Sequence, residues 1–380
     1  MRSTTLQANS IKKLIKQIDE HVEYGCNPSL AIVYASPRFD IEKLSRKLSK
    51  YNFFILGATT AGEVHANPQD GVHELEGMLV CMLIEIEKKA LALTVIESTQ
   101  DSYVMGEHIG LWAKSCFSNV AVITLTSGLA FDNDAYTQGI VSKGIEYVFG
   151  GAAGDDLLLE NTFVFSNNFS SSNAIVALAL DRKKIEIFGS RAFGWRGIGK
   201  ERIVTRATKN MVYEIDGIPA IDFYKRYLDI TSDDMPQIGI EYPLEVRRRN
   251  GEVIYRAVLG FDEENGALVF AGHVEEKAHI RISAPRGRAI IKDVEESTQK
   301  VMDDHKDFNP EIALLFPCCS RKQVLGHLTH LEVEAVCKAA NVPMVGFYAY
   351  GEIGAFPGGS GFHNETFVTA FLEEKKQYAI

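Results

Sequence analysis

The 380-residue sequence lacks an uninterrupted apolar run of the ~18 residues that a membrane-spanning helix needs. It also lacks a basic excess, because 40 lysines and arginines face 50 acidic residues, which gives a formal net charge of −10. A chain of this sign is a poor match for nucleic acid and for anionic membranes, so we expect neither as a partner. The first residues contain no apolar signal core, and we therefore expect a cytoplasmic protein.

Metal and disulfide motifs are missing as well. The six cysteines form no paired CxxC elements, and the sequence contains no HExxH motif, so no zinc framework is recognisable. This cysteine usage is typical of a reducing compartment. The apolar fraction of 46% and the charged fraction of 24% are ordinary, which predicts a folded globular chain of two or three domains.

The most informative feature that is present is a unit that occurs three times. Each copy has an apolar strand, a helix, a second strand, a glycine-rich loop that ends in Gly and an acid, and a further apolar strand. The three loops contain Gly62-Glu63, Gly154-Asp155 and Gly351-Glu352. In the first two copies, charged turns at 87–89 and 181–184 separate apolar strands and predict β-hairpins. Crossover helices combined with hairpins predict a mixed α/β (α+β) fold, with mixed sheets flanked by helices in two domains.

The region between the second and third copies has a different pattern. Asn250-Gly251 and Asn265-Gly266 separate apolar strands and suit primed turns, which predicts an antiparallel meander. Helical periodicity predicts helices at 218–228 and 290–301, and an amphipathic helix near the start, up to about residue 25. We place the boundary between the two domains near residue 230.

The loops at strand ends are the candidate ligand site, because α/β proteins commonly bind ligands there. Glycine allows close backbone approach, and hydroxyl, carboxylate and guanidinium groups could together hold an amino acid or another zwitterion. The alternative is that the glycines only build turns and that the acids only accept backbone amides. The predicted ligand-binding residues are Gly57, Thr59, Thr60, Gly62, Glu63, Gly151, Asp155, Arg191, Cys319, Arg321, Tyr350, Gly351, Glu352 and Asn364.

A catalytic function is the second class of hypothesis. Cys319 follows an apolar strand and lies two residues before Arg321, whose charge would favour a thiolate. A thiol-dependent enzyme, or a carboxylate-dependent one using Glu63 and Glu352, is therefore an alternative, and a buried cysteine beside a structural arginine is the competing interpretation. Since no nucleophile–base order is recognisable, we expect a binding protein without catalytic residues.

Several segments resemble the FIST family, a two-part sensory domain of bacterial signalling proteins and some eukaryotic F-box proteins. The segments that carry the resemblance are ILGATTAGE, FGGAAGDD, FGWRGIGKERIVTRATKN, YEIDGIPAIDFYKRYL, FPCCSR, GFYAYGEIG and FHNETF. The resemblance implies an N-terminal part at about 28–228 and a C-terminal part at about 229–368. Together with the amphipathic helix that periodicity predicts, this divides the sequence into a helix at 1–27, an N-terminal domain at 28–228 and a C-terminal domain at 229–380. It also implies sensing of a small molecule, and signalling through a separate partner such as a histidine kinase or a cyclic-di-nucleotide enzyme.

The same resemblance makes haem a candidate cofactor, because stand-alone members of the family include haem-binding nitric oxide sensors. A single histidine can hold haem, and the candidate axial ligands are His327, His330 and His363. The alternative is a sensor of a small polar ligand, such as an amino acid, without haem. Loops rich in glycine, threonine and acids suit a zwitterion better than a porphyrin.

Overall fold

The structure is a computed structural model that describes residues 1–98, 101–356 and 359–375. The α-helices are α1 (Ile11–Glu23), α2 (Ile41–Leu48), α3 (Ser102–Cys116), α4 (Asn133–Ser142), α5 (Ala220–Tyr227), α6 (Gln237–Glu241), α7 (Ala289–Asp304), α8 (Cys319–Leu325) and α9 (His330–Ala339). The strands up to the end of the second repeat are β1 (Arg2–Ala8), β2 (Leu30–Ala35), β3 (Phe54–Thr59), β4 (Glu63–Asn67), β5 (Gly71–Leu75), β6 (Leu79–Glu85), β7 (Leu91–Glu97), β8 (Val120–Thr126), β9 (Val148–Ala152), β10 (Val164–Ser166), β11 (Phe169–Ser171) and β12 (Ala174–Asp181). The remaining strands are β13 (Ile185–Ala192), β14 (Trp195–Thr208), β15 (Met211–Ile215), β16 (Ile218–Pro219), β17 (Leu244–Arg247), β18 (Val253–Arg256), β19 (Val258–Asp262), β20 (Ala267–Phe270), β21 (His279–Pro285), β22 (Ile312–Pro317), β23 (Met344–Phe347), β24 (Glu352–Phe356), β25 (Gly359–His363) and β26 (Phe367–Glu374).

Three six-stranded sheets share one topology, which confirms the threefold repeat. The orders are β1-β6-β2-β3-β10-β11, then β7-β12-β8-β9-β24-β25, then β13-β26-β22-β23-β4-β5. In each sheet two strands of the same repeat pair in parallel: β2 with β3, β8 with β9, and β22 with β23. The last strand of that repeat pairs antiparallel with the first strand of the parallel pair: β6 with β2, β12 with β8, and β26 with β22. The mixed sheets that the crossover helices predicted are therefore present in all three copies.

Each repeat also donates a hairpin to a neighbouring sheet. The hairpin β4-β5 of the first repeat extends the third sheet, β10-β11 of the second extends the first sheet, and β24-β25 of the third extends the second sheet. This exchange is cyclic, so the three repeats close into one interlocked body. A strand edge that would otherwise be open is covered by the next repeat.

The predicted hairpins at the charged turns are wrong. β6 pairs with β1 and β2 in the first sheet, whereas β7 pairs with β12 in the second sheet. The turn at 181–184 likewise separates β12 from β13, which pairs with β26 in the third sheet. Two apolar strands joined by a short turn have the same sequence pattern whether they pair with each other or belong to neighbouring sheets. Here they belong to neighbouring sheets.

An additional antiparallel sheet is inserted into the third repeat. It has the order β18-β17-β21-β14-β15-β20-β19, with β16 paired to β15. The hairpins β17-β18 and β19-β20 form at the two predicted turns, where Gly251 and Gly266 have φ of 88° and 67°. The sheet takes strands from both sides of residue 229, so the sequence boundary between the two domains runs through it.

The main core lies where the three repeated sheets face one another. Ile32, Ile123 and Leu314 come from equivalent strands of the three repeats and are buried in one cluster. Burial of each such side chain contributes about 1.5–3 kcal/mol. The helices cover the outer faces: Leu14 and Ile18 of α1, for example, pack on the first sheet.

The N-terminal segment differs from its prediction in one respect. The helix α1 forms as its periodicity indicates, and the Ser10 side chain caps it by accepting a hydrogen bond from the backbone N–H of Lys13. Residues before it form β1, which pairs with β6 along its whole length. Among the described helices, none has both the length and the apolar composition that crossing a bilayer would require.

Candidate functional site

The three glycine-rich loops meet at one place and hold one another through their backbones. Each loop donates an N–H to a carbonyl oxygen of another loop, which closes a ring. The three hydrogen bonds run from Ala61 N to Tyr348 O, from Gly154 N to Thr59 O and from Tyr350 N to Ala152 O, and each is 3.0 Å long. The convergence expected from the repeat is therefore present, and the cyclic topology is its cause.

The acids that end these loops bind backbone N–H groups. Glu63 accepts hydrogen bonds from Met78 N and from the Thr60 hydroxyl, and Glu352 accepts them from the N–H and the hydroxyl of Thr366. Both carboxyl groups are buried. Burial raises the pKa of Glu63 to about 7, although Thr60 and the Met78 amide oppose this, and burial raises the pKa of Glu352 as well.

The acid of the second loop, Asp155, fixes the segment that follows it. Its carboxylate accepts the backbone N–H groups of Leu159, Glu160 and Asn161, at distances between 2.7 and 2.9 Å. The Tyr350 hydroxyl of the third loop donates to the same carboxylate. Asp155 therefore joins the second and third loops through its hydrogen bonds.

Several predicted ligand residues of the loops pack instead against protein. A Cβ on Gly57 would lie 2.3 Å from the Phe165 ring, and a Cβ on Gly351 would lie 2.3 Å from the Phe362 ring, so both positions require glycine for packing. Of the remaining loop residues, the Thr59 hydroxyl accepts Phe163 N, Gly62 O accepts Tyr348 N, and Gly151 pairs with Glu352 between β9 and β24.

A cavity of about 980 Å³ lies beside this ring, where the repeats meet the inserted sheet. Its walls are largely apolar, with a few polar side chains among them, which is the composition of small-molecule sites. The described residues that line it are Ala61, Glu76, Gly128, Leu129, Phe131, Asn133, Asp156, Leu157, Leu159, Asn210, Pro236, Gln237, Ile240, Ala257, Leu259, Phe270, Ala271, Cys318, Cys319, Ser320, Lys322, Gln323, Tyr350, Phe362, Asn364 and Glu365.

Three of the predicted ligand residues line this cavity: Cys319, Tyr350 and Asn364. Cys319 is the first residue of α8, and the Asn364 side-chain oxygen accepts a hydrogen bond of 3.4 Å from Arg256. The adjacent Cys318 is buried, and burial raises the pKa of its thiol well above the ordinary value. Cys318 is therefore held as a neutral thiol, which gives the thiol-enzyme hypothesis no support from this residue.

Arg321 was predicted to bind ligand, but it is buried in a different arrangement. Its guanidinium group forms an ion pair with Glu332, and both side chains are 0% exposed. It also donates to the carbonyl oxygens of Phe193 and Glu365. The hydrogen-bond donors of Arg321 thus bind other groups of the protein. Arg321 does not line the cavity.

Arg191 belongs to a polar network between β13 and the inserted sheet. Its guanidinium group lies 3.2 Å from Glu252 and 3.2 Å from the His363 ring. In the same region, Arg256 and Asp134 form a buried ion pair of 2.7 Å. These contacts fix the inserted sheet against the second and third repeats.

The three candidate haem ligands differ in their exposure to solvent. His327 is exposed, His330 is partly buried, and His363 is buried beside Arg191. Burial and the nearby arginine charges lower the pKa of His363 well below its ordinary value. Among the described residues, no three or more His, Cys, Asp or Glu side chains are grouped so that they could hold a metal ion.

The cavity does not fit haem held by histidine. Its described lining contains no histidine, and its one cationic side chain is Lys322, which already donates to Ala61 O and to Glu76. Haem propionates need cationic partners, whereas this lining carries the carboxyl groups of Glu76, Asp156 and Glu365. The described residues of this cavity are therefore unsuited to the cofactor.

An exposed apolar loop borders the cavity. Leu157, Leu158 and Leu159 are 48%, 64% and 48% exposed, and Leu157 and Leu159 line the cavity. Asp156, Leu157 and Leu159 all have positive φ, between 55° and 65°. Such backbone conformations cost on the order of 1 kcal/mol or more each in residues with a side chain.

Sequence reasoning missed the polar floor of the cavity. Ser320 and Glu365 line it, and neither side chain has a hydrogen-bond partner among the described residues. Both belong to segments that carry the family resemblance, since Ser320 is part of FPCCSR and Glu365 is part of FHNETF. The apolar wall from the inserted sheet, such as Leu259 and Phe270, had no comparable sequence signal.

The comparisons with known proteins agree with this architecture. The FIST N domain model matches residues 29–218, and the FIST C domain model matches residues 220–355. The chain belongs to the FIST family, whose domains are sensory domains.

Curated relatives are distant. "Uncharacterized protein MJ1623" of Methanocaldococcus jannaschii is 21% identical over 343 residues, which cover 83% of this chain and 64% of the relative. "Uncharacterized protein Rv0628c" of Mycobacterium tuberculosis is 26% identical over 182 residues, which cover 46% of this chain and 47% of the relative. The matches thus span between about half and two thirds of the relatives' own length.

Proposed function

We propose that this chain is a cytoplasmic sensory protein that binds a small non-haem ligand in the cavity beside the loop ring and reports its state to a separate partner. The observation that carries this proposal is the cavity itself. Its volume of about 980 Å³ is at the upper end of the range for small-molecule sites. Both family segments contribute walls, for example Phe131 from the first and Phe270 from the second.

The loop of three leucines is the surface by which the ligand state would reach a partner. Leu157 and Leu159 face the cavity region while Leu158 is the most exposed of the three. A ligand can shift the equilibrium between two conformations of this loop only by binding one of them more tightly than the other. Because the positive φ angles of the loop are energetically costly, an alternative backbone conformation is accessible to it. A histidine kinase or a cyclic-di-nucleotide enzyme is the class of partner that the family membership favours.

Filling the cavity should abolish ligand binding. Ala271 lines the cavity from the inserted sheet, and Ala271→Trp would place an indole ring there. Metabolites that raise the melting temperature of the wild type should bind this variant at least tenfold more weakly by titration calorimetry. The ligand's effect on the rate of the partner enzyme should be lost with it.

Lys89→Trp is the matched control, because Lys89 is exposed and does not line the cavity. This variant should bind the same metabolites with wild-type affinity. Equal binding by Ala271→Trp and the wild type would show that the ligand site lies elsewhere. The absence of any stabilising metabolite, together with no effect on partner enzymes, would remove the sensor proposal.

A haem-based nitric oxide sensor makes a different prediction. Because the part of the lining that the structure describes offers no histidine and a single lysine, we expect no intense Soret band after reconstitution with haem and desalting. An intense band would contradict this expectation. Alanine substitution of His327, His330 and His363 would then identify the axial ligand, since the correct substitution should abolish the band.

A further inference from the structure

Glu365 has an unusual position at the floor of the cavity. It lies between β25 and β26, it is 0% exposed, and it lines the cavity. Its φ is 62°, so a residue with a long side chain occupies a left-handed conformation. Its backbone carbonyl accepts a hydrogen bond of 2.9 Å from Arg321, which fixes the main chain at this point.

The carboxyl group of Glu365 has no hydrogen-bond partner of good geometry among the described residues. The Ser320 hydroxyl, which lines the same cavity, also lacks one, although it lies close enough to Glu365 to favour the ionised carboxylate. Buried polar groups are normally hydrogen-bonded, because an unpaired one has lost its hydrogen bonds to water without replacing them. Two unsatisfied polar side chains on one cavity therefore indicate a partner that the protein itself does not supply.

The charge of the cavity decides what that partner carries. Among the described residues that line it, Glu76, Asp156 and Glu365 carry carboxyl groups and Lys322 alone carries an ammonium group. That ammonium group already donates to Glu76, at 2.9 Å, and to Ala61 O, at 3.1 Å. A ligand carboxylate or phosphate would find one ammonium group, which is already paired, whereas a ligand cation would find carboxyl oxygens as acceptors.

We infer that the cavity selects a small organic cation, whose ammonium or amidinium group binds Glu365 and Ser320 and whose apolar body packs on Phe131, Phe270 and Phe362. This inference rests on the proposed ligand-binding function and adds the ligand class to it. Two unpaired carboxylate oxygens match a group with two or more N–H donors, and charge-assisted hydrogen bonds of this kind are the strong ones. The aromatic walls supply the apolar burial that holds the rest of the ligand.

Cation binding should release a proton. Burial raises the pKa of Glu365 to about 8, with Ser320 and the Arg321 charge opposing it, so the carboxyl group is mostly protonated at pH 7. In the complex, the proton leaves the Glu365 carboxyl group for solvent and the carboxylate pairs with the ligand cation. The affinity should therefore rise from pH 6 to pH 8, by up to tenfold per pH unit, and level off above pH 8.

The ionisable groups that interact with Glu365 include Arg321, Cys318 and Tyr224. The charge of Arg321 is permanent, and burial raises the pKa values of Cys318 and Tyr224, the titratable neighbours that Glu365 affects. Both of those neighbours therefore remain neutral between pH 6 and pH 8. A primary amine ligand also keeps its charge there, because its pKa is close to that of lysine, about 10.4.

Three probes of similar shape and different charge test the inference: 2-phenylethylamine, 2-phenylethanol and 3-phenylpropionate, titrated calorimetrically at pH 7.5. The wild type should bind the amine at least tenfold more tightly than the alcohol and the propionate. Glu365→Gln, which keeps the size of the side chain, should lower amine affinity at least tenfold and change alcohol affinity less than threefold. It should also abolish the pH dependence of amine binding.

Glu334→Gln is the matched control, since Glu334 is exposed on α9 and does not line the cavity. It should change amine affinity less than threefold, and melting curves should show that both variants are folded. Amine binding that is absent at millimolar concentration, no tighter than alcohol binding, or unchanged in Glu365→Gln would overturn the inference. Binding of the alcohol or the propionate alone, lost in Ala271→Trp, would overturn cation selection and leave the proposed ligand cavity standing.

Discussion

Arg321→Met should lower the free energy of unfolding by about 3–5 kcal/mol, the usual effect of removing one partner of a buried ion pair. The substitution leaves the Glu332 carboxylate buried without its partner, because both side chains are 0% exposed. It also removes the donor to the carbonyl oxygens of Phe193 and Glu365. Urea unfolding followed by circular dichroism at pH 7 measures the change.

Two further variants separate the buried charge from the loss of a side chain. Arg321→Met combined with Glu332→Leu removes the unpaired carboxylate and should recover part of the lost stability. Lys300→Met breaks the exposed pair of Lys300 with Asp304 and should change the free energy of unfolding by less than about 1 kcal/mol. A loss below 1 kcal/mol in Arg321→Met would show that the buried pair is not needed for the fold.

The stability of the protein should fall as the pH rises from 5 to 9. Burial raises the pKa of Glu365 to about 8 and that of Glu63 to about 7, from an ordinary value of 4.5. Between pH 4.5 and those values the folded state keeps protons that the unfolded chain has released. Raising the pH therefore favours unfolding, and the loss is complete above about pH 8. Each unit of raised pKa corresponds to about 1.4 kcal/mol, so the loss through Glu365 should be on the order of 5 kcal/mol.

Glu365→Gln tests this sign directly. The variant has no carboxyl group to ionise there, so its free energy of unfolding should fall less between pH 5 and pH 9 than that of the wild type. Glu334→Gln on α9 is the control, because Glu334 is exposed, and it should keep the wild-type pH dependence. An unchanged slope in Glu365→Gln would mean that this carboxyl group is solvated or paired in the folded protein.

The position of Arg321 shows that a local sequence motif does not distinguish a ligand-binding residue from a buried structural one. An arginine after an apolar strand and a cysteine pair is equally compatible with a ligand contact and with a buried ion pair. The choice depends on Glu332, which lies eleven residues later and is brought against Arg321 by the packing of α8 and α9. The sequence offered no sign that this glutamate would be buried, because an acid on a helix is usually solvated.

The hairpins show a second limit. The turns at 250–251 and 265–266 were correctly interpreted, because Asn-Gly specifies the local backbone geometry of a primed turn. The turns at 87–89 and 181–184 carry charge but no such geometry, and the strands on either side of them belong to different sheets. The hairpins that do exchange between repeats, such as β4-β5, consist of short strands that lie among the glycine-rich loops.

The sequence by itself determined the threefold repeat, the apolar strands and helices of each unit, the Asn-Gly turns and the family. These properties depend on spacing along the chain, which periodicity records directly. The tertiary structure alone decided the exchange of hairpins, the burial of Arg321 and the cavity with Glu365 at its floor. Each of these brings together residues far apart in the chain, such as Phe131, Phe270 and Glu365. Their proximity depends on strand pairing and side-chain packing across the whole molecule, which no local pattern specifies.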